Sequence, residues 1–190
     1  RRMQLLEAIK ARAAIPDIEK HLALGRKVVV FHDYNVGGGF NPFAGREVVI
    51  PTEKAMKAYA RLVVAKPFVA KLNFSGYLPP VDAITKAFGD RAKVYNGTVS
   101  GKDRAKAKSD FNTDGSNVDV IVVQSAAGEA GISLHDTTGK HQRVLINLGM
   151  PVRPTTALQE EGRTRRVGTV SDAPYRYYTT GTTWERQAFA

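Results

Sequence analysis

Runs of aliphatic and β-branched residues recur along the 190-residue chain, separated by stretches with helical spacing. KVVVFHDYN (27–35) and VDVIVVQ (118–124) show no polar alternation, and RVLINL (143–148) nearly none. Strands covered on both faces read this way, which predicts a parallel sheet between helices. KVY (93–95) predicts a further short strand. Leu5, Leu6 and Ile9 fall at helical spacing, and Pro16 reads as the first position of a second short helix. That helix would carry Ile18, Leu22 and Leu24 and stop at Gly25, a natural left-handed terminator. Further helices are predicted near 53–65, 80–88 and 101–112. The alternation argues for a three-layer α/β domain with a mainly parallel sheet flanked by helices. NVGGGFNPFAGRE (35–47) follows the first strand and predicts an exposed, mobile loop.

Composition narrows the class. Hydrophobic content of 43% with 24% charged residues describes a globular chain, and its length suits one domain. There is no cysteine, so disulfides and thiolate metal sites are excluded. No run of about 18 apolar residues predicts a membrane span. The chain opens RRMQLL with no signal-type stretch behind it, which reads as a piece of a longer protein, and the expected location is cytoplasmic. Lys and Arg total 28 against 18 Asp and Glu, a formal charge of +10. Such an excess favours a polyanionic partner.

Two apparent motifs fail on their chemistry. GTVSGKD (97–103) is one residue short of a phosphate-binding loop and ends in Asp103 where a hydroxyl must hold magnesium. VGGGFNPF (36–43) has an incomplete dinucleotide-loop spacing, and its Asn41-Pro42-Phe43 lacks the second proline of an adenine-methyltransferase motif. The histidines His21, His32, His135 and His141 are scattered without metal-ligand spacing, and no metal site is predicted. No nucleophile elbow is present.

What remains is an ordered set. KVVVFHDYN is followed by VYNGTVSGKDRAKAKSDFNTDGSNVDVIVVQSAAGEAGISLHD (94–136) and then MPVRPTTALQEEGRTRRVG (150–168). In this order they resemble motifs IV, IVa, V and VI of the C-terminal RecA-like lobe of superfamily 2 helicases and translocases. GISLHD, QEEGRTRR and DAPYRYYTTGTTWERQAFA (172–190) are similar to the Strawberry notch type of helicase C-terminal domain, some of whose bacterial and phage members are joined to a DNA methyltransferase module. The resemblance implies one lobe over 1–190, with a helical lead-in over 1–25 and a terminal strand and extension over 172–190. It implies a nucleoid-associated or phage-derived setting. Three positions depart from common superfamily patterns. Glu160 stands where arginine is frequent, Arg165 replaces a histidine, and Ser133 stands where relatives offer an aspartate to the ribose.

The resemblance also implies roles. ATP and Mg2+ would be held mainly by an N-terminal RecA-like lobe of the same polypeptide, so this chain alone would be inactive. Arg163 and Arg166 would reach across the cleft to the transferring phosphoryl group, with Gln159 positioning nucleotide or water. On a helical turn residues three apart face the same way, and guanidinium groups stay charged and bind phosphate oxygens in pairs. Gly131, Ser133 and Gly162 would lie against ATP. Nucleic acid, DNA with RNA as the variant, would meet loops at the carboxyl ends of the strands: His32, Tyr34, Asn96, Gly97, Lys102, Arg104 and Ser125. The competing reading is a basic RecA-like module that binds nucleic acid or protein without an ATP role.

Overall fold

The computed structural model describes residues 2–38, 53, 54, 57, 61, 71–128, 131–149 and 154–188. In chain order the elements are α1 (Arg2–Ala23), β1 (Lys27–His32), α2 (Pro80–Phe88), a 3-10 turn (Gly89–Arg91), β2 (Ala92–Tyr95), α3 (Gly101–Asn112), β3 (Val120–Gln124), α4 (Ser125–Gly128), β4 (Arg143–Asn147), α5 (Pro154–Thr164), β5 (Tyr175–Tyr177) and α6 (Thr183–Ala188). Of the expected helix over 53–65, positions 53, 54, 57 and 61 are helical, and the rest lie outside the described residues.

Among the described residues five strands form one sheet in the order β2-β3-β1-β4-β5. Every pairing is parallel, with Val30 opposite Val122 on one side and Ile146 on the other. Alternate residues of β1 feed two cores. Val28 and Val30 pack with Ala11, Ala14 and Ile18 of α1 and Ile84 of α2. Val29 and Phe31 pack with Phe111 of α3, Ile132 and Leu134. A strand covered on both faces needs apolar residues at every position, which is why the run in the sequence shows no alternation. The three-layer α/β architecture follows from this arrangement.

The N-terminal region differs from expectation. Instead of two short helices, α1 is a single helix of 22 residues with Pro16 inside it. An interior proline costs about 3 kcal/mol. Burial outweighs this: Ala8, Ala11, Ala14 and Ile18 are completely buried along one face, while Pro16 lies on the exposed side. Gly25 does end the helical region with φ 72°.

The glycine loop also differs where it is described. Gly38 is buried with φ 106°, and a Cβ there would meet the Tyr77 carbonyl oxygen at 2.7 Å. A glycine is required because another backbone passes so closely. Residues 39–47 of that stretch lie outside the described residues.

GTVSGKD finds its explanation in α3. Ser100 is the N-cap, its hydroxyl accepting from the Asp103 amide at 3.1 Å and donating to the Asp103 carboxylate at 2.6 Å. The residue that spoils a phosphate loop therefore closes a capping pair. Replacing Ser100 with Ala is expected to cost about 1 kcal/mol in a urea titration.

The C-terminal segment closes the fold across α1 and α5. The Tyr178 hydroxyl donates to Asp17 at 3.0 Å, and the Tyr177 hydroxyl to Glu161 at 2.6 Å. Helix α6, unforeseen in the extension, carries Glu185, whose buried carboxylate meets Lys10 of α1 at 2.6 Å. No described helix is long and apolar enough to cross a membrane.

Candidate nucleotide and nucleic-acid edges

In a parallel sheet all strands end on the same side, and the segments that follow them share that edge. Helix α5 follows β4 and carries QEEGRT of QEEGRTRR; Glu160 lies at that edge, whereas Arg163 meets Leu134, which is bonded to Arg143 at the start of β4. Two of its polar residues anchor the helix. Glu160 is buried and accepts from the Asn147 side-chain amide at the end of β4, while Glu161 takes the Tyr177 hydroxyl. Burial pushes the Glu160 carboxyl up to about 7, with Asp33 adding to the rise and Asn147 and Arg163 opposing it. Glu160 thus serves to seat the helix on β4.

Arg163 and Arg166 do not share one environment. Arg163 is only 8% exposed, and its carbonyl accepts from the Leu134 amide at 2.8 Å. Helix α5 ends at Thr164, so Arg166 lies beyond the turn on which the two were expected to align. Arg166 is exposed, and its guanidinium folds back to donate to the Gly162 carbonyl at 3.0 Å and the Ser133 hydroxyl at 2.9 Å. Its own amide donates to Thr169 Oγ1 at 2.7 Å. Arg165 and Arg166 both line a cleft of about 270 Å³ with Thr169, Val170, Ser171 and Asp172.

Ser133 is held from the other side by Asn112, whose amide donates to its carbonyl at 3.0 Å. Gly131 is exposed with φ 78°. A Cβ on Gly162 would meet nothing within 4 Å, so no neighbour in this chain requires a glycine there. Gln159 is exposed on α5. Ser133, Gly162 and Arg166 are therefore brought into direct contact, although they lie up to 33 residues apart in sequence.

The second set follows β1, β2 and β3, which are neighbours in the sheet. His32 is completely buried, with Nδ1 3.2 Å from the Tyr34 carbonyl. Its side chain therefore offers this chain's surface nothing, and only its backbone could reach a ligand. Tyr34 is 36% exposed. Gly97 and Lys102 are exposed, Arg104 packs over the Tyr95 ring at 5.9 Å, and Ser125 is half-buried. Asn96 is buried and folds the loop after β2, its Oδ1 accepting from the Thr98 amide at 3.0 Å and the Thr98 hydroxyl at 2.7 Å.

Three residues at this edge escaped the sequence reading. Asn35 donates to Gln124 at 2.8 Å, and Gln124 donates to the Asp33 carbonyl at 3.2 Å. Glu7 of α1, 2% exposed, accepts from the Asp33 and Tyr34 amides at 2.6 and 2.9 Å. The available signal was a polar residue closing an apolar strand, and a lone glutamate among the apolar positions of α1. Burial lifts the Glu7 carboxyl to about 7 against the lowering effect of those two amides.

Burial holds the His32 imidazole down to about 4, although the Tyr34 carbonyl favours its proton. Its folded pKa is depressed, so its contribution is full above the unfolded value near 6.5 and is lost as pH falls towards 4. Glu7 and Glu160 act oppositely, because their raised carboxyls favour folding below about 4.5 and lose that contribution as pH rises through 7. His32→Leu should therefore gain roughly 3 kcal/mol on wild type between pH 7 and pH 4, read from urea midpoints at the two pH values.

Residues 56–168 match the profile of the helicase conserved C-terminal domain. Among solved structures, the chain is similar to the C-terminal part of the Fun30 ATPase domain, with a TM-score of 0.57 and 13% identity. That match covers 93% of this chain and 43% of the other, so the chain spans less than half of the structure it resembles. No curated protein matches by sequence. The all-parallel sheet agrees with that fold, and the profile covers more than half of the chain, including β2, β3, β4, α5 and the arginines that end QEEGRTRR. The chain belongs to the helicase conserved C-terminal domain family.

Proposed function

We propose that this chain is the C-terminal motor lobe of an ATP-dependent DNA helicase or translocase. We take it as a single lobe over residues 1–190. The observation that carries the reading is the contact between Arg166 and Ser133, which joins the QEEGRTRR and GISL segments into one polar edge. The exposed apolar side chain of Val170 lines the same cleft as Arg166, and Val167 follows that arginine in sequence, as fits a face covered by another lobe. The two glutamates of QEEGRTRR turn to Asn147 and Tyr177.

ATP, when bound on the partner lobe with its Mg2+, supplies the phosphoryl group. This chain supplies guanidinium groups to its oxygens. Arg166 is held by two hydrogen bonds, which would set its plane before the phosphate arrives, and Arg163 is buried on α5. Charge developing on the phosphoryl oxygens would meet donors already in place, which is the main source of such catalysis. Gln159 would orient nucleotide or water, and Gly131, Ser133 and Gly162 would line the nucleotide. Tyr34, Asn96, Gly97, Lys102, Arg104 and Ser125 would lie along nucleic acid, with His32 buried behind them. Backbone and phosphate contacts of this kind position a duplex without reading its sequence. Within the family, the ordered GISLHD, QEEGRTRR and APYRYY segments support the Strawberry notch type, and a methyltransferase module and a phage setting belong to that reading.

The test is ATP hydrolysis by the two-lobe protein with and without duplex DNA. Stimulation by DNA supports the motor. DNA binding without hydrolysis supports the competing basic binding module, which the charge of +10 would equally suit. Strand displacement on forked against blunt duplexes then separates helicase from translocase.

A further inference from the structure

We infer that Asn35 and Gln124 are positioning residues that lock the segments after β1, β2 and β3 into one rigid DNA-binding rim. This rests on the reading that the segments after β1, β2 and β3 touch DNA, and it adds residues that touch none themselves.

A continuous chain of side-chain amides runs along the carboxyl edge of these strands. The Thr98 amide and hydroxyl donate to Asn96 Oδ1 at 3.0 and 2.7 Å. Asn96 Nδ2 donates to Asn35 Oδ1 at 3.1 Å. Asn35 Nδ2 donates to Gln124 Oε1 at 2.8 Å, and Gln124 Nε2 ends the chain on the Asp33 carbonyl at 3.2 Å. Every link donates in the same direction, so each amide polarises the next. A side-chain amide both accepts from one neighbour and donates to the next, which a carboxylate without a donor or an ammonium without an acceptor cannot do.

The chain members sit beside the candidate contact residues in sequence. Asn35 follows Tyr34, Asn96 precedes Gly97, and Gln124 precedes Ser125. Fixing the amides therefore fixes the spacing of those three positions. Parallel strands lie about 4.8 Å apart, and β3 stands between β1 and β2, so Asn35 bridges over the end of β3 to reach Asn96. From behind, Glu7 clamps the Asp33 and Tyr34 amides. Loops that would otherwise move independently are pre-ordered, and the ordering cost is removed from the binding step.

The test is a double-substitution cycle on the two-lobe protein, with Asn35→Leu, Gln124→Met and the pair. Duplex DNA affinity is read by fluorescence anisotropy, and unstimulated ATP hydrolysis and the thermal midpoint are read alongside. Each single change should weaken affinity about tenfold, and the pair should also weaken it about tenfold rather than a hundredfold, because either change breaks the same chain. Unstimulated hydrolysis should stay within about twofold of wild type. If Asn35→Leu lowers the thermal midpoint, Asn35→Ala takes its place in the cycle. Additive losses, or wild-type affinity in both single variants, overturn the inference. A wild-type protein with no affinity for DNA instead overturns the interface itself, a result distinguishable because it precedes any substitution.

Discussion

Arg166→Ala is expected to lower ATP hydrolysis by the two-lobe protein by about 10³-fold or more while leaving DNA affinity in place. The side chain is exposed at the edge of the lobe, yet it is not a free surface arginine. The Gly162 carbonyl and the Ser133 hydroxyl occupy two of its N–H groups at 3.0 and 2.9 Å. A guanidinium has five N–H donors, so several remain for phosphate oxygens. Because the two bonds set the plane of the group beforehand, little rotamer entropy is lost when it engages. Ser133→Ala makes the complementary variant. It removes one aiming bond and leaves the charge, so its loss in kcat should be much smaller than that of Arg166→Ala. Equal hydrolysis by Arg166→Ala and wild type would leave QEEGRTRRVG as a basic surface on a binding module.

The second large effect concerns stability. Lys10 and Glu185 are 3% and 0% exposed and pair at 2.6 Å across α1 and α6. Lys10 also donates to the Leu148 carbonyl at 3.2 Å, and Glu185 takes the Thr180 amide at 2.7 Å. Burial alone would raise the Glu185 carboxyl, but Lys10 and Thr180 hold it down to about 2. Glu185→Ala would leave a buried ammonium without its counter-charge, and breaking such a pair costs about 3–5 kcal/mol. For a chain of this size that corresponds to a fall of roughly 10 °C in thermal midpoint. The paired change Lys10→Met with Glu185→Leu removes both charges and should recover most of the loss, because no uncompensated ion remains. Glu185 has a depressed folded pKa, so its contribution is present above about 4.5 and is lost as pH falls towards 2. The wild-type advantage over Glu185→Ala should accordingly shrink in that window.

The chain's hydrophobic pattern already determined the elements that are locally encoded. β1, β3 and β4 are legible because a strand buried on both faces leaves an unbroken apolar run, whatever covers it. α3 is legible from Gly101 to Asn112 because its cap, Ser100, and the capping partner, Asp103, lie three residues apart. The order of the motif-like segments likewise singles out the arginines and the strand-end loops as candidates. Tertiary structure decided the rest. α1 passes through Pro16 because the buried faces of Ala8, Ala11, Ala14 and Ile18 hold it together, and local propensity contains no record of that packing. Arg163 and Arg166 part company because α5 ends between them, where the sequence spacing put them on one face. The Ser133–Arg166 contact, the Lys10–Glu185 pair and the amide chain through Asn35 and Gln124 join residues 33, 175 and 89 positions apart. Hydrophobic periodicity records how deeply each position is buried, but not which partner it meets. Partners are set by the strand order β2-β3-β1-β4-β5, a property of how the whole chain closes and not of any segment within it.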